Sequence, residues 1–250
     1  EIGRRLAAFD VDVDLHRLVG TQPELVPPAP ARHIDTAVGG HNTEAALYAP
    51  LFERVGVELV AEGAEVHGEV LGLEVARVVD GALEVGVGRF DREITSMLHA
   101  DLPSEAALAR AADIVRQHRY RGAPPHPMLS MGRERWLRRE LVAHPVLVGC
   151  TSVWPIPTTV PIPNLRDPHP AAALASTDRG EIVTVVCGVG LDVDLVPIAA
   201  DVAMSNPESD LVLVVPEGEL LPPLRSIADH LRRGARWLEL PAPWGNPPAA

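Results

Sequence analysis

Two stretches place a Gly-x-Gly turn just ahead of paired acids. Gly86-Val87-Gly88 leads to Asp91 and Glu93, and Gly188-Val189-Gly190 leads to Asp192 and Asp194. Carboxylate oxygens at alternate positions are the hard ligands that a divalent cation takes. Each pair is therefore a candidate metal site, and the two turns together would make a small-ligand or cation sensor. A glycine turn at a helix start also holds anions. Here G-x-G-x-x-G is incomplete, because Asp91 and Val193 stand where the third glycine should be. The acids would in addition repel phosphate. The competing reading is two helix starts, with the acids complementing the positive end of the dipole.

Other reactive side chains are scattered. His99-Ala100-Asp101 could orient an imidazole, but no nucleophile accompanies it. His33/His41 and His118/His126 are spaced too widely for a usual metal pair. Cys150 and Cys187 are the only cysteines and form no CxxC, which argues against structural zinc and a disulfide framework. Cys187 ends the apolar run EIVTVVC and reads as an inert core thiol. No GxSxG elbow is present. Arg133, Arg135, Arg138 and Arg139 form the best basic surface for nucleic acid or an acidic partner. Glu134 and Glu140 balance it, so the bland expectation is a solvated face.

All 22 basic residues are Arg, set against 34 acids for a net charge of −12. Without Lys there is no P-loop, Schiff-base or Ser-Lys chemistry, and Arg stays protonated and cannot act as a base. The acidic balance argues against sequence-independent nucleic-acid binding. With no apolar run of about 18 residues and no signal-type segment, the expectation is a cytoplasmic protein without membrane contact. The first residue is not Met, and further residues are expected upstream.

The elements that must position these groups alternate between helix and strand. A helix is expected at 2–9, a strand at 11–19, a linker or long loop at 21–42 and a helix at 43–55. Strand pairs follow, including a hairpin around Asp80-Gly81. Helices are expected at 103–119 and 133–145, separated by GAPPHP (122–127). The second half continues with a strand, a hairpin around Asp178-Arg179-Gly180, a helix near 195–204, the strand DLVLVVP, a helix and a last strand. The expectation is an α/β protein of two similar modules, 1–121 and 122–250, with mixed sheets flanked by helices.

The order of elements over 130–241 resembles the PD-(D/E)XK restriction-endonuclease-like core. That resemblance implies a helix acid (Glu134 or Glu140), an Asp on one hairpin strand and Glu-x-Lys on the next, holding Mg²⁺ or Mn²⁺ for phosphodiester cleavage. The strand AAALAST offers no Asp, and VVCGVG offers neither acid nor Lys. The second-half site is therefore expected to be vacated. In the first half, Glu44, Glu74 and Glu84 would be the catalytic and metal carboxylates, with Gly86 in place of the Lys. A two-residue Asp80-Gly81 turn would pair Arg77 with Glu84 and turn Glu74 to the opposite face; a three-residue turn would place the acids on one side. GLEVARVV, LEVGVGRFDRE and VGLDVDLVPIAAD also resemble a family of uncharacterised proteins from high-GC bacteria, which implies no activity. The expected function is a non-catalytic binding or assembly module without cofactor, working through a protein partner or self-association. The enzyme alternative is a metal-dependent phosphodiesterase.

Overall fold

The computed structural model describes residues 2–27, 43–87, 104–160 and 166–244. Two sheets of different design dominate it. The first is the four-stranded antiparallel meander β3 (Glu58–Glu62), β4 (Glu65–Val70), β5 (Leu73–Val79) and β6 (Ala82–Val85). Tight turns join its strands. Around Asp80-Gly81 the register is Val79↔Ala82, and both turn residues have positive φ (50° and 77°), as a twist-matched two-residue hairpin requires. Leu71-Gly72 repeats this geometry at 50° and 74° between Val70 and Leu73.

The meander has one apolar and one charged face. Phe52 and Val57, together with Val70, Leu73, Val75, Ala76 and Val85 from the sheet, pack with Leu108, Ala112 and Val115. The helices on this side are α2 (Thr43–Val55) and α3 (Ser104–His118). Strand pairing sets Glu58 opposite Glu69, Val60 opposite His67 and Glu62 opposite Glu65 on the other face.

The second sheet is mixed. Its order is β11 (Arg236–Leu240), β10 (Asp210–Pro216), β9 (Ile182–Cys187), β8 (Ala171–Ser176), β7 (Ser152–Ile156). β7, β8 and β9 pair antiparallel, whereas β9, β10 and β11 pair parallel. Period-two alternation divides its side chains. Ala171, Ala173, Val185, Cys187, Val212 and Val214 meet Leu137 and Leu141 of helix α5 (Arg133–Ala143). Ala172, Leu174, Val186, Leu213 and Val215 meet α6 (Leu195–Met204) and α7 (Pro222–Ala228). The α/β class and the helix-flanked mixed sheet are as expected. The first sheet is antiparallel throughout and does not repeat the second.

Helix α5 is the layer between the sheets. Short helix α4 (Pro127–Ser130) delivers the chain to it. Buried Arg119 fixes that approach by donating to the carbonyls of Leu71, Met128, Met131 and Gly132.

Three local expectations change. The opening helix is only α1 (Ile2–Leu6), and it packs on α6, while Phe9 bridges Leu231. The strand expected at 11–19 is reduced to β1 (His16–Val19), paired with β2 (Gln22–Leu25) inside the expected loop. Finally, a 3₁₀ turn at Pro145–Val148, closed by Gly149 at φ 75°, replaces the beginning of the strand foreseen after Pro145.

At Gly72 the backbone of the first sheet's β4–β5 turn closely approaches that of the helix. A Cβ there would stand 2.3 Å from the Trp136 backbone nitrogen, and φ is +74°. Gly122 has φ +78° with nothing within 4 Å. Gly122→Ala should cost about 1 kcal/mol from backbone strain alone. Gly72→Ala should cost about 3 kcal/mol or more, because backbone must move as well. Urea unfolding of the two variants checks this, and equal losses would remove the close approach as a determinant.

Candidate functional site

Arg135, Arg138 and Arg139 lie at i, i+3 and i+4 of α5 and so share one helical face, opposite Leu137 and Leu141. That face covers the glutamates of the first sheet. Arg138 pairs with Glu62 and approaches Glu69 at 3.6 Å. Arg135 Nη1 lies 3.3 Å from Glu69 and 3.4 Å from Glu74, and Arg139 reaches Glu58 at 2.7 Å. His67 Nε2 sits 2.9 Å from Glu69 Oε1. Arg135 and Arg138 are 4% and 2% exposed. The solvated basic face expected of this helix is therefore corrected for these two residues: they are interior cations, out of reach of nucleic acid.

A β-bulge completes the layer. On β4 only two positions separate His67 from Glu69, whereas their partners Arg77 and Glu74 on β5 are three apart. The extra residue rotates Glu74 onto the face of Arg77. Arg77 then grips Glu74 through Nε (2.9 Å) and Nη2 (2.7 Å), and reaches Glu65 at 2.6 Å. The turn is the two-residue form and Arg77 does pair with Glu84, but the expected opposite-face placement of Glu74 is overturned by the bulge. Glu84 is exposed on edge strand β6 and Glu74 is buried. Glu44 falls on α2, and its side chain lies outside the described residues. Among the described residues, no group of three or more His, Cys, Asp or Glu could hold a metal ion.

Burial alone would raise the carboxyl pKa values in this layer. For Glu69 it is outweighed by the His67 hydrogen bond and the charges of Arg135 and Arg138, which leave its pKa at about 2. For Glu74, the Arg77 bond and the charges of His67, Arg77 and Arg135 likewise outweigh burial and leave about 2. Glu62 is also held below its ordinary value by Arg138 and Arg135 against burial. Carboxylates so neutralised are poor candidates for a general base or for metal ligation.

The carboxyl end of the mixed sheet is different. Cys187 is fully buried opposite Ala171, and burial pushes its thiol up to about 12. It is a core thiol, as expected. Gly188 lies so close under Leu195 that a Cβ would come within 2.5 Å of it. Asp192 Oδ1 accepts from the Asp194 amide at 2.9 Å, while its Oδ2 is buried without a hydrogen-bond partner. Asp194 is exposed, 3.9 Å from Arg5, at the start of α6. The stretch thus forms a helix start, the second of its two readings. Glu134, in the first turn of α5, is 6% exposed. Burial, reinforced by Asp192, raises its carboxyl to about 7 despite its own amide, Arg133 and Arg119. Asp91, Glu93, His33, His41, His99 and Asp101 lie outside the described residues. His118 and His126 stack with ring centroids 3.9 Å apart, and His126 Nδ1 caps α4 by accepting from the Met128 amide.

Glu62, His67 and Glu69 belong to no sequence motif considered above. A usable signal existed: the Glu spacing across the meander, taken with strand parity, opposite the Arg spacing of α5. Comparison with protein-family models, curated proteins and solved structures finds no match to this chain.

Arg138→Met should cost about 3 kcal/mol, because buried Glu62 loses its direct partner and keeps only Arg135 at 3.9 Å. Combining it with Glu62→Leu should recover much of that loss, and a double variant as unstable as the single would show that the pair contributes only packing. The pH dependence has two opposing limbs. Glu69 and Glu74 stabilise the fold above their ordinary range near 4.5, and this is lost as pH falls toward 2. Glu134 binds its proton more tightly when folded, so it costs stability as pH rises from about 4.5 through 7. Glu134→Gln should therefore match the parent near pH 4.5 and exceed it by about 3 kcal/mol at pH 8; a gap constant over that interval in denaturant titrations would contradict the assignment.

Proposed function

We propose that the chain is a non-catalytic binding or assembly module built on a nuclease-like core. The helix–three-strand–helix–strand order from α5 to β10 supports that core. The carrying observation is the chemistry of the positions a metal would need. On β8 and β9, the strands that would carry them in such a core, the residues packed towards α5 are Ala171, Ala173, Val185 and Cys187, all buried. On the first sheet, Glu74 is gripped by Arg77 and approached by Arg135. An arginine layer supplies the positive charge that these paired carboxylates require.

Assembly is favoured by the β1–β2 hairpin. Its residues are exposed throughout, with Leu18 and Leu25 at 72% and 64%. An isolated two-stranded ribbon is only marginally stable in water, and its open edges invite pairing. Among the described residues no helix is long and apolar enough to cross a membrane.

Mn²⁺ titration by calorimetry should give no saturable heat up to millimolar concentrations, and DNA and RNA should remain uncleaved with Mn²⁺ present. Stoichiometric Mn²⁺ binding that is abolished in Glu74→Ala/Glu84→Ala, or cleavage lost in that variant, would overturn the reading in favour of the metal-dependent phosphodiesterase.

A further inference from the structure

The N-terminal segment crosses the outer layer of the mixed sheet and is fastened at both ends. Arg4 grips Asp201 of α6 through two bonds of 2.5 Å. Beyond Phe9, the Asp10 amide donates to the His230 carbonyl at 2.7 Å, and the Arg232 amide donates to Ala8 at 3.0 Å. Between these fastenings the chain presents only Ala7 and Ala8. The α6 surface beneath presents Ala200, Ala203 and Met204. Small side chains on both sides leave a pocket of about 290 Å³, floored by Leu211 and Leu231 and closed by the 232–234 turn.

The volume lies at the low end of the range of small-molecule sites, and the lining follows their pattern of an apolar body with a few polar groups at one place. Those groups include Arg232 and Arg233, both exposed at the rim, and the buried Ser209. Arg233 donates to the Pro207 and Ser209 carbonyls, which fixes its guanidinium while leaving further N–H donors. Arg232 is 3.8 Å from Asp10, and its side chain is 55% exposed. Asp210 also lines the pocket. The two guanidiniums thus stand beside two carboxylates, Asp210 and Asp10, and it is the N–H donors left over on Arg232 and Arg233 that an incoming anion would meet. A planar guanidinium fork recognises a carboxylate in particular.

We propose that this pocket binds a small apolar carboxylate. The tail lies between Ala7–Ala8 and Ala200–Ala203, and the head group meets Arg232 and Arg233. The site is on the far side of the mixed sheet from α5, and its occupancy is independent of whether the chain binds metal or cleaves a phosphodiester.

Octanoate is the probe, titrated into the full chain by calorimetry, with octan-1-ol as the neutral analogue. Saturable one-site octanoate binding is expected. Affinity should fall at least tenfold for octan-1-ol, at least tenfold in Ala203→Leu, which fills the pocket, and at least tenfold in Arg232→Gln/Arg233→Gln, whose changes are at the exposed rim. The proposal is overturned by absence of saturable heat at millimolar octanoate. It is equally overturned if octan-1-ol binds as tightly, or if a folded Ala203→Leu or rim variant binds octanoate like the parent.

Discussion

The arginine–glutamate layer between α5 and the first sheet is the constraint on which the arrangement depends. Two interior guanidiniums face Glu62, Glu69 and Glu74, and none of these groups is near bulk water. Charges removed from water are tolerated only when paired with good geometry. The first sheet therefore needs the helix in one register, at one depth and one rotation. An apolar interface of the same area would tolerate sliding. Gly72 lets the backbones meet closely enough for the side chains to reach.

In the same layer Glu62, Glu69 and Glu74 already face guanidiniums. A cation site and a carboxylate–guanidinium site draw on the same oxygens, and the guanidinium is part of the chain and never dissociates. Beyond α5, the mixed sheet is aliphatic on the face that meets the helix. Its unusual groups, Glu134 and the inner oxygen of Asp192, sit at the strands' carboxyl end. There burial, more than pairing, governs the Glu134 carboxyl.

Much of the architecture was legible in the residues. Asp80-Gly81 announced its hairpin, Ser104–His118 its helix, and the aliphatic runs of β9 and β10 two buried strands. The site was less so, for identifiable reasons. A helix carrying arginines at i, i+3 and i+4 has the same pattern whether it faces water or a wall of glutamates. Only the partner surface decides, and that surface is 61 to 81 residues away in the chain. The bulge in β5 has no signature in LEVARVV, yet it reverses the face of Glu74. The opening strand failed for want of a partner: Val11 and Val13 alternate correctly, but only His16–Val19 finds a neighbour.

Helix α5 also bears on cooperativity. By position it opens the second half, through Leu137 and Leu141 it completes that half's core, and through its guanidiniums it completes the first. Neither sheet can melt alone without stranding groups that belong to the other. Local opening of the meander would leave two bare cations against an aliphatic wall, and release of the mixed sheet would leave a wall of glutamates repelling one another. The helix thus acts as a shared keystone, and the two sheets are expected to unfold together where the sequence reads as two modules.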